Sequence, residues 1–92
     1  MIVVSGASGM LGSQIALALL EAGMGPVRGL YRSKASLDSA RRSWEFQGFG
    51  ARWNEVEWFR ADLEDPSDVE SALEGAEYAV HAAALVSFRK KD

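Results

Sequence analysis

The residues with the clearest chemical potential are the glycines of the segment Ser5-Gly6-Ala7-Ser8-Gly9-Met10-Leu11-Gly12, which are spaced as GxxGxxG and follow a β-branched run. Gly6 permits a tight exit from a strand, Gly9 lets the backbone approach a phosphate without a Cβ in the way, and Gly12 permits close packing of helix on strand. The N–H groups and positive dipole end of the next helix would face the phosphates. We therefore predict that residues 6–12 bind a pyrophosphate. A strand-to-helix turn that binds nothing is the alternative, and the lack of Gly-Lys-Ser/Thr excludes a P-loop.

If the pyrophosphate belongs to a nicotinamide dinucleotide, the residues at the end of the apolar run over residues 27–32 indicate whether it is NAD or NADP. An NAD site tends to place Asp or Glu about 20 residues past the glycines, on the ribose 2′-hydroxyl. This chain has Tyr31-Arg32-Ser33-Lys34 there, and its next acid is Asp38. A guanidinium binds a phosphate through paired hydrogen bonds. We therefore predict NADP, with Arg32 on the 2′-phosphate, Lys34 or Ser33 assisting and Ser8 adding a hydroxyl. If Arg32 and Lys34 are only solvated charges, NAD remains possible.

Composition narrows the function classes. The chain has 92 residues, 48% of them hydrophobic, no cysteine and a net charge of −3. The lack of cysteine excludes thiolate metal sites and cysteine nucleophiles and fits a reducing compartment, so we expect a cytoplasmic protein. The charge balance gives no support for nucleic-acid binding, and no segment predicts a membrane span. The acidic stretch at residues 55–88 is interpreted as solvated helix surface, with a docking patch for a basic partner as the alternative.

Two further groups of side chains invite a functional reading. His81 is the only histidine, but it lies in an apolar run and has no partners at metal-ligand spacing, so we interpret it as a satisfied core or strand-end residue and predict no metal site. Aromatic residues interleave with arginines between residues 41 and 60. This pattern would suit base stacking, but packing in the core around the second helix and third strand is the favoured interpretation; these aromatics are Trp44, Phe46, Phe49, Trp53, Trp58 and Phe59.

The elements that would position these residues alternate along the chain. Apolar runs predict strands at residues 2–4, 27–32, 56–59 and 78–84, and helical periodicity predicts helices from residue 10, over about 36–47 and from Pro66, with Asp65 as cap. For the first helix the predicted apolar face is Leu11, Ile15, Ala18 and Ala22; for the third it is Val69, Ala72, Leu73 and Ala76. The order βαβαβαβ predicts an α/β fold with an open parallel sheet of the Rossmann type, in strand order 3-2-1-4.

Four motifs together resemble the extended short-chain dehydrogenase/reductases, which include NAD-dependent epimerase/dehydratases and dihydroflavonol-reductase-like enzymes. They are the glycine loop, Leu30-Tyr31-Arg32, Ala61-Asp62-Leu63 and Val80-His81-Ala82-Ala83-Ala84. The resemblance implies that Asp62 accepts a hydrogen bond from the adenine amino group and that Leu63 packs on the ring. It also implies that Ala82, Ala83 and Ala84 line the adenosine and the nicotinamide-side ribose. A loop cap at Asp62 and small core residues at 82–84 are the alternatives.

The catalytic set of that family is not recognisable in this chain. Its Tyr-x-x-x-Lys pair is absent, because Ala35 follows Tyr31 at that distance and Ala82 follows Tyr78. The resemblance implies that the pair and most of the substrate site lie further along, so we predict that residues 1–92 are the first part of a longer NAD(P)-binding domain. The leading hypothesis is the cofactor-binding part of an NADP-dependent oxidoreductase, epimerase or dehydratase acting on a carbonyl or alcohol. A non-catalytic NADP sensor is the alternative, and a fragment that binds nothing is a weaker one. We also expect self-association through the open edge of strand four.

Overall fold

The computed structural model describes residues 1–82. Strands and helices alternate as predicted, and one short 3₁₀ helix was not predicted. The elements are β1 (Ile2–Ser5), α1 (Met10–Glu21), β2 (Val27–Tyr31), α2 (Lys34–Phe46), the 3₁₀ helix (Gly50–Glu55), β3 (Val56–Arg60), α3 (Pro66–Leu73) and β4 (Tyr78–His81). No helix among these residues is long and apolar enough to cross a lipid bilayer.

The four strands form one parallel sheet in the order β3-β2-β1-β4, which confirms the predicted fold class and strand order. Ser5 is level with His81 across the β1–β4 pair, and Tyr31 is level with Arg60 across the β2–β3 pair. The carboxyl ends of all four strands therefore meet at one edge of the sheet. In open parallel sheets, this is the edge at which ligands bind.

Two apolar clusters cover the two faces of the sheet. On the α1–α2 face, Trp44 is fully buried and packs edge-on against Trp53, with ring centroids 5.3 Å apart, while Trp53 stacks on Trp58 at 4.2 Å. These three rings are core residues, as predicted; Phe46 is not, since it is 94% exposed. The apolar cluster on the opposite face of the sheet is smaller, and its buried residues are Val3, Leu30, Ala61 and Ala72.

The buried face of α1 differs from the predicted one. Gly12, Ser13, Ala16 and Leu17 face the sheet, whereas Leu11 and Ala18 are exposed and Ile15 is only half-buried. The helix is apolar almost all round, so periodicity alone does not select a face. Close contact between Gly12 and the β1–α1 turn orients the helix, because no residue with a side chain would fit there.

Two helix starts follow from capping side chains. The Ser33 hydroxyl accepts a hydrogen bond from the Ser36 N–H at 3.2 Å, so α2 begins at Lys34, two residues before the predicted start. The Asp65 carboxylate accepts from the Ser67 N–H at 2.9 Å, which confirms the predicted cap of α3. Of the apolar face predicted for α3, Ala72 is buried, whereas Leu73 is exposed.

Candidate functional site

The β1–α1 turn has the geometry of an anion-binding loop. Gly6 adopts φ of +67°, a conformation that favours glycine, and its carbonyl accepts from the Gly9 N–H at 3.0 Å. A Cβ on Gly12 would lie 2.0 Å from the Gly6 carbonyl oxygen, so α1 packs directly on the turn. The loop residue Ala7 is wholly buried and its N–H donates to the Leu30 carbonyl at 2.9 Å, so its side chain belongs to the core.

The amino terminus of α1 offers unsatisfied donors. The N–H groups of Met10, Leu11 and Gly12 have no hydrogen-bond acceptor within residues 1–82, and the first turn carries no acidic residue. The first N–H groups of a helix, together with its dipole, attract anions. They border an open cleft of about 650 Å³ that is lined by the glycine loop, Gln14 and Ala82.

A second cleft, of about 220 Å³, lies on the other side of the glycine loop. It brings together three segments that are far apart in the sequence, namely the glycine loop, the end of β2 and the loop after β3. Its lining is Gly6, Ser8, Leu30, Tyr31, Arg32, Ala61, Asp62, Leu63 and Glu64. Four of the predicted binding residues outside the central glycines, Ser8, Arg32, Asp62 and Leu63, therefore line one cavity.

Of the three polar residues that follow β2, Arg32 and Lys34 have no side-chain ion pair within residues 1–82, whereas Ser33 is used as a helix cap. Arg32 and Lys34 are exposed, and neither forms an ion pair with any residue from 1 to 82. Ser33 is occupied as the cap of α2. Sequence reasoning missed Ser36, whose hydroxyl lies 3.0 Å from that of Ser8 and links the glycine loop to α2.

Asp62 is held by its own loop. Its Oδ1 accepts a hydrogen bond from the Glu64 N–H at 2.9 Å, and its N–H donates to Asp68 Oδ2 at 2.9 Å. Oδ2 of Asp62 has no hydrogen-bond partner within the part of the chain that the structure describes. The neighbouring Leu63 is 43% exposed in the same cleft.

The end of β4 lies beside the end of β1. His81 Nδ1 forms a hydrogen bond with the Ser5 hydroxyl, which also donates to the Val80 carbonyl at 3.3 Å. His81 is therefore a satisfied strand-end residue, as interpreted from the sequence. Ala82 is buried and lines the larger cleft. The fourth strand is shorter than the predicted range 78–84, because β4 ends at His81 and Ala82 is no longer in the strand. Ala83 and Ala84 lie outside the described residues. No group of three His, Cys, Asp or Glu side chains within residues 1–82 is placed to hold a metal ion.

Comparison with known proteins assigns this arrangement to a family. The model of the NAD dependent epimerase/dehydratase family matches residues 2–91. The chain belongs to this family. Family membership implies a nicotinamide dinucleotide cofactor.

Solved structures confirm the fold of this family member. A thiolation-reductase di-domain from an archaeal non-ribosomal peptide synthetase is similar with a TM-score of 0.69 at 16% identity, over 88% of this chain and 24% of that one. A short-chain type dehydrogenase/reductase from Mycobacterium ulcerans is similar with a TM-score of 0.62 at 19% identity, over 88% of this chain and 31% of that one. The chain thus spans less than a third of either structure, and no curated protein matches it.

The described residues fit a dinucleotide. Gly9 leaves the backbone open to a phosphate, Gly12 brings the amino terminus of α1 onto the turn, and free N–H groups lie at that terminus. The two clefts meet at the glycine loop, since Gly6 and Ser8 line both of them. One extended ligand therefore has room on both sides of the loop, with its phosphates over the glycines.

Proposed function

We propose that the chain is the NADP(H)-binding portion of an extended short-chain dehydrogenase-type oxidoreductase, epimerase or dehydratase that acts on a carbonyl or alcohol substrate. When bound, the nicotinamide would supply the hydride donor or acceptor. We further propose that residues 1–92 form the N-terminal part of a longer domain. The Tyr-x-x-x-Lys pair and most of the substrate contacts would come from the remainder, since neither tyrosine of this chain is followed by lysine at that spacing.

The observation that carries the NADP proposal is Arg32 in the smaller cleft. Arg32 follows β2 directly and lines the same cavity as Ser8 of the glycine loop. The position that commonly holds a carboxylate for the ribose 2′-hydroxyl has no acid, and a guanidinium there favours a phosphate. Lys34, in the first turn of α2, adds a second positive charge close by in the sequence.

The remaining residues would hold the rest of the dinucleotide. The N–H groups of α1 would bind the pyrophosphate. Asp62 Oδ2, left without a partner by the turn that uses Oδ1, would accept from the adenine amino group, and Leu63 would cover one face of the ring. Ala82, with the neighbouring Ala83 and Ala84, would leave room for the ribose on the nicotinamide side.

Titration of the full chain with NADPH and with NADH, by calorimetry or nucleotide fluorescence, tests the proposal. We expect tighter binding of NADPH. Arg32→Ala should remove about 1.5–3 kcal/mol of binding free energy for NADPH, which is roughly 10- to 150-fold in Kd, because hydrogen bonds to a charged group are lost. NADH affinity should change little.

Arg42→Ala is the matched control. Arg42 is exposed on α2 and has no hydrogen bond or ion pair within residues 1–82, so its removal changes the net charge equally without touching either cleft. Equal affinities for the two nucleotides, or tighter NADH, would contradict the NADP proposal. Binding of neither nucleotide would contradict the binding role of this chain altogether.

A further inference from the structure

The hydroxyl groups of Ser8, Ser36 and Ser33 form a short chain that joins the glycine loop to the amino terminus of α2. Ser8 Oγ lies 3.0 Å from Ser36 Oγ, and Ser36 Oγ lies 3.2 Å from Ser33 Oγ. Of these three serines only Ser8 lines the smaller cleft, which also contains Arg32. Ser36 is half-buried behind Ser8 and lines neither cleft. The hydrogen bond to Ser8 is therefore the direct link from Ser36 to a ligand in that cleft, whereas the bonds from Ser36 to Ser33 belong to the cap of α2.

The direction of hydrogen bonding in this chain is set at the Ser33 end. Ser33 Oγ accepts from the Ser36 N–H at 3.2 Å, and its own hydrogen is then available to Ser36 Oγ. The single hydrogen of the Ser36 hydroxyl has two acceptors at equal distance, the Ser33 carbonyl at 3.0 Å and Ser8 Oγ at 3.0 Å. When it is donated to Ser8 Oγ, the Ser8 hydrogen is left for an acceptor in the cleft. When it is donated to the Ser33 carbonyl, Ser36 Oγ competes with the cleft for the Ser8 hydrogen.

A phosphate and a hydroxyl make different demands on Ser8. A phosphate dianion only accepts hydrogen bonds, so Ser8 must donate to it, and its oxygen is then free to accept from Ser36. A ribose 2′-hydroxyl both donates and accepts, so it is satisfied by either direction of the Ser8 hydroxyl. Hydrogen bonds that run in one direction along a chain polarise each other, and the last one is strengthened further when its acceptor is charged.

We propose that Ser36 is a positioning residue for NADP, whose hydroxyl holds Ser8 as a hydrogen-bond donor to the 2′-phosphate. This inference rests on the proposed NADP-binding function. It adds a specificity determinant that motif reading does not find, because a serine in the first turn of a helix is usually interpreted as part of its cap.

The test compares Ser8→Ala, Ser36→Ala and the double variant in the full chain, titrated with NADPH, NADH, 2′,5′-ADP and 5′-AMP. Ser8→Ala should weaken binding of both 2′-phosphorylated ligands about tenfold or more, since a charge-assisted hydrogen bond is lost. Ser36→Ala should weaken them by about two- to tenfold, the range of one neutral hydrogen bond. Ser36→Ala should not alter binding of NADH or 5′-AMP appreciably, whereas Ser8→Ala should weaken these two ligands less than the 2′-phosphorylated ones, because they lose only a neutral hydrogen bond.

The double variant shows whether Ser36 acts on the ligand through Ser8 or independently of Ser8. If Ser36 acts through Ser8, adding Ser36→Ala to Ser8→Ala should cause no further loss, so the two effects are not additive. Ser36→Thr, which keeps the hydroxyl, should restore the preference for the phosphorylated ligands. Ser39→Ala is the control on the same helix, because Ser39 is exposed and makes no side-chain hydrogen bond within residues 1–82.

The outcomes distinguish this inference from the function on which it rests. If the unaltered chain fails to prefer NADPH over NADH, the NADP proposal itself fails. If the preference is present but Ser36→Ala leaves it unchanged, or weakens all four ligands equally, the positioning role is wrong. Additive losses in the double variant would likewise contradict action through Ser8. Thermal unfolding of each variant, run in parallel, shows whether a lost affinity reflects a destabilised α2.

Discussion

Substitution of Gly12 by alanine should damage the fold and the binding loop together, whereas substitution of Gly9 should damage binding alone. A Cβ on Gly12 would lie 2.0 Å from the Gly6 carbonyl oxygen and 2.6 Å from the carbonyl carbon. The neighbours are backbone atoms, so no side chain is available to rotate away. To bring the closest contact to 3.0 Å, below which real Cβ contacts essentially never occur, α1 and the turn must separate by about 1 Å.

The cost follows from what that separation breaks. Forcing one extra methyl group into a packed site usually destabilises a protein by about 1–3 kcal/mol, and rigid backbone on both sides places Gly12→Ala at or above the upper end. Small domains have unfolding free energies from about 5 kcal/mol, so about half of the stability should be lost. At Gly9 the same methyl would meet the Gly6 oxygen at 3.3 Å, which a shift of a few tenths of an ångström relieves.

Urea unfolding and NADPH titration of the two variants test this reasoning. Gly12→Ala should lower the unfolding midpoint strongly and weaken NADPH binding. Gly9→Ala should keep a midpoint close to that of the unaltered chain and still weaken binding, because its methyl group stands where the backbone approaches the phosphates. An unchanged midpoint for Gly12→Ala would show that α1 does not pack on the turn as described. Equal losses of stability in both variants would refute the distinction between packing and binding glycines.

Two further predictions concern acid stability and association. The Met1 ammonium donates to the Glu77 carboxylate at 2.8 Å, and this hydrogen bond and its charge lower the pKa of Glu77 below 4.5. The small stabilising contribution of this ion pair is therefore present above about pH 4.5 and is lost as the pH falls through the lowered pKa. The difference in thermal midpoint between the unaltered chain and Glu77→Gln should vanish in acid. A difference that does not depend on pH would contradict this role of the ion pair. The strand β4 lies at an edge of the described sheet, and its residue Tyr78 is 70% exposed. We expect chains to associate through this edge, so the apparent mass in light scattering should rise with protein concentration. The substitution Tyr78→Lys should reduce that rise. A constant monomeric mass at high concentration would contradict it.

The order of elements was predictable because each boundary carries a strong local signal. The β-branched run Ile2–Val4, the Asp65-Pro66 helix start and the glycine-rich breaks act over a few residues, where local chemistry dominates. Parallel pairing and right-handed crossovers then leave few alternatives to the order 3-2-1-4. The same rules bring the carboxyl ends of the strands together, so the residues lining the smaller cleft were foreseeable as neighbours.

Features that depend on contacts between distant segments were not predictable in the same way. The buried face of α1 is chosen by the contact of Gly12 with Gly6, not by periodicity, because nearly every position of that helix is apolar. The 3₁₀ helix at Gly50–Glu55 forms where Trp53 turns inward against Trp44, an arrangement that glycine breaks do not reveal. The Ser8–Ser36 contact joins residues 28 positions apart and has no signature in the sequence.

A structural role for one side chain is compatible with the binding role proposed for it, and Asp62 in the loop after β3 is an example. From the sequence, Asp62 is either a loop cap or an adenine ligand, and these were weighed as alternatives. A carboxylate has two oxygens, and the turn uses only Oδ1, through the Glu64 N–H at 2.9 Å. The cap holds the carboxylate in place and leaves Oδ2 open to a donor, so the loop contact would orient Asp62 for the proposed hydrogen bond to adenine. The same holds for Ser33, whose oxygen caps α2 while its hydrogen remains available to Ser36. An observed cap therefore does not argue against a binding role where the side chain keeps a second hydrogen-bonding atom.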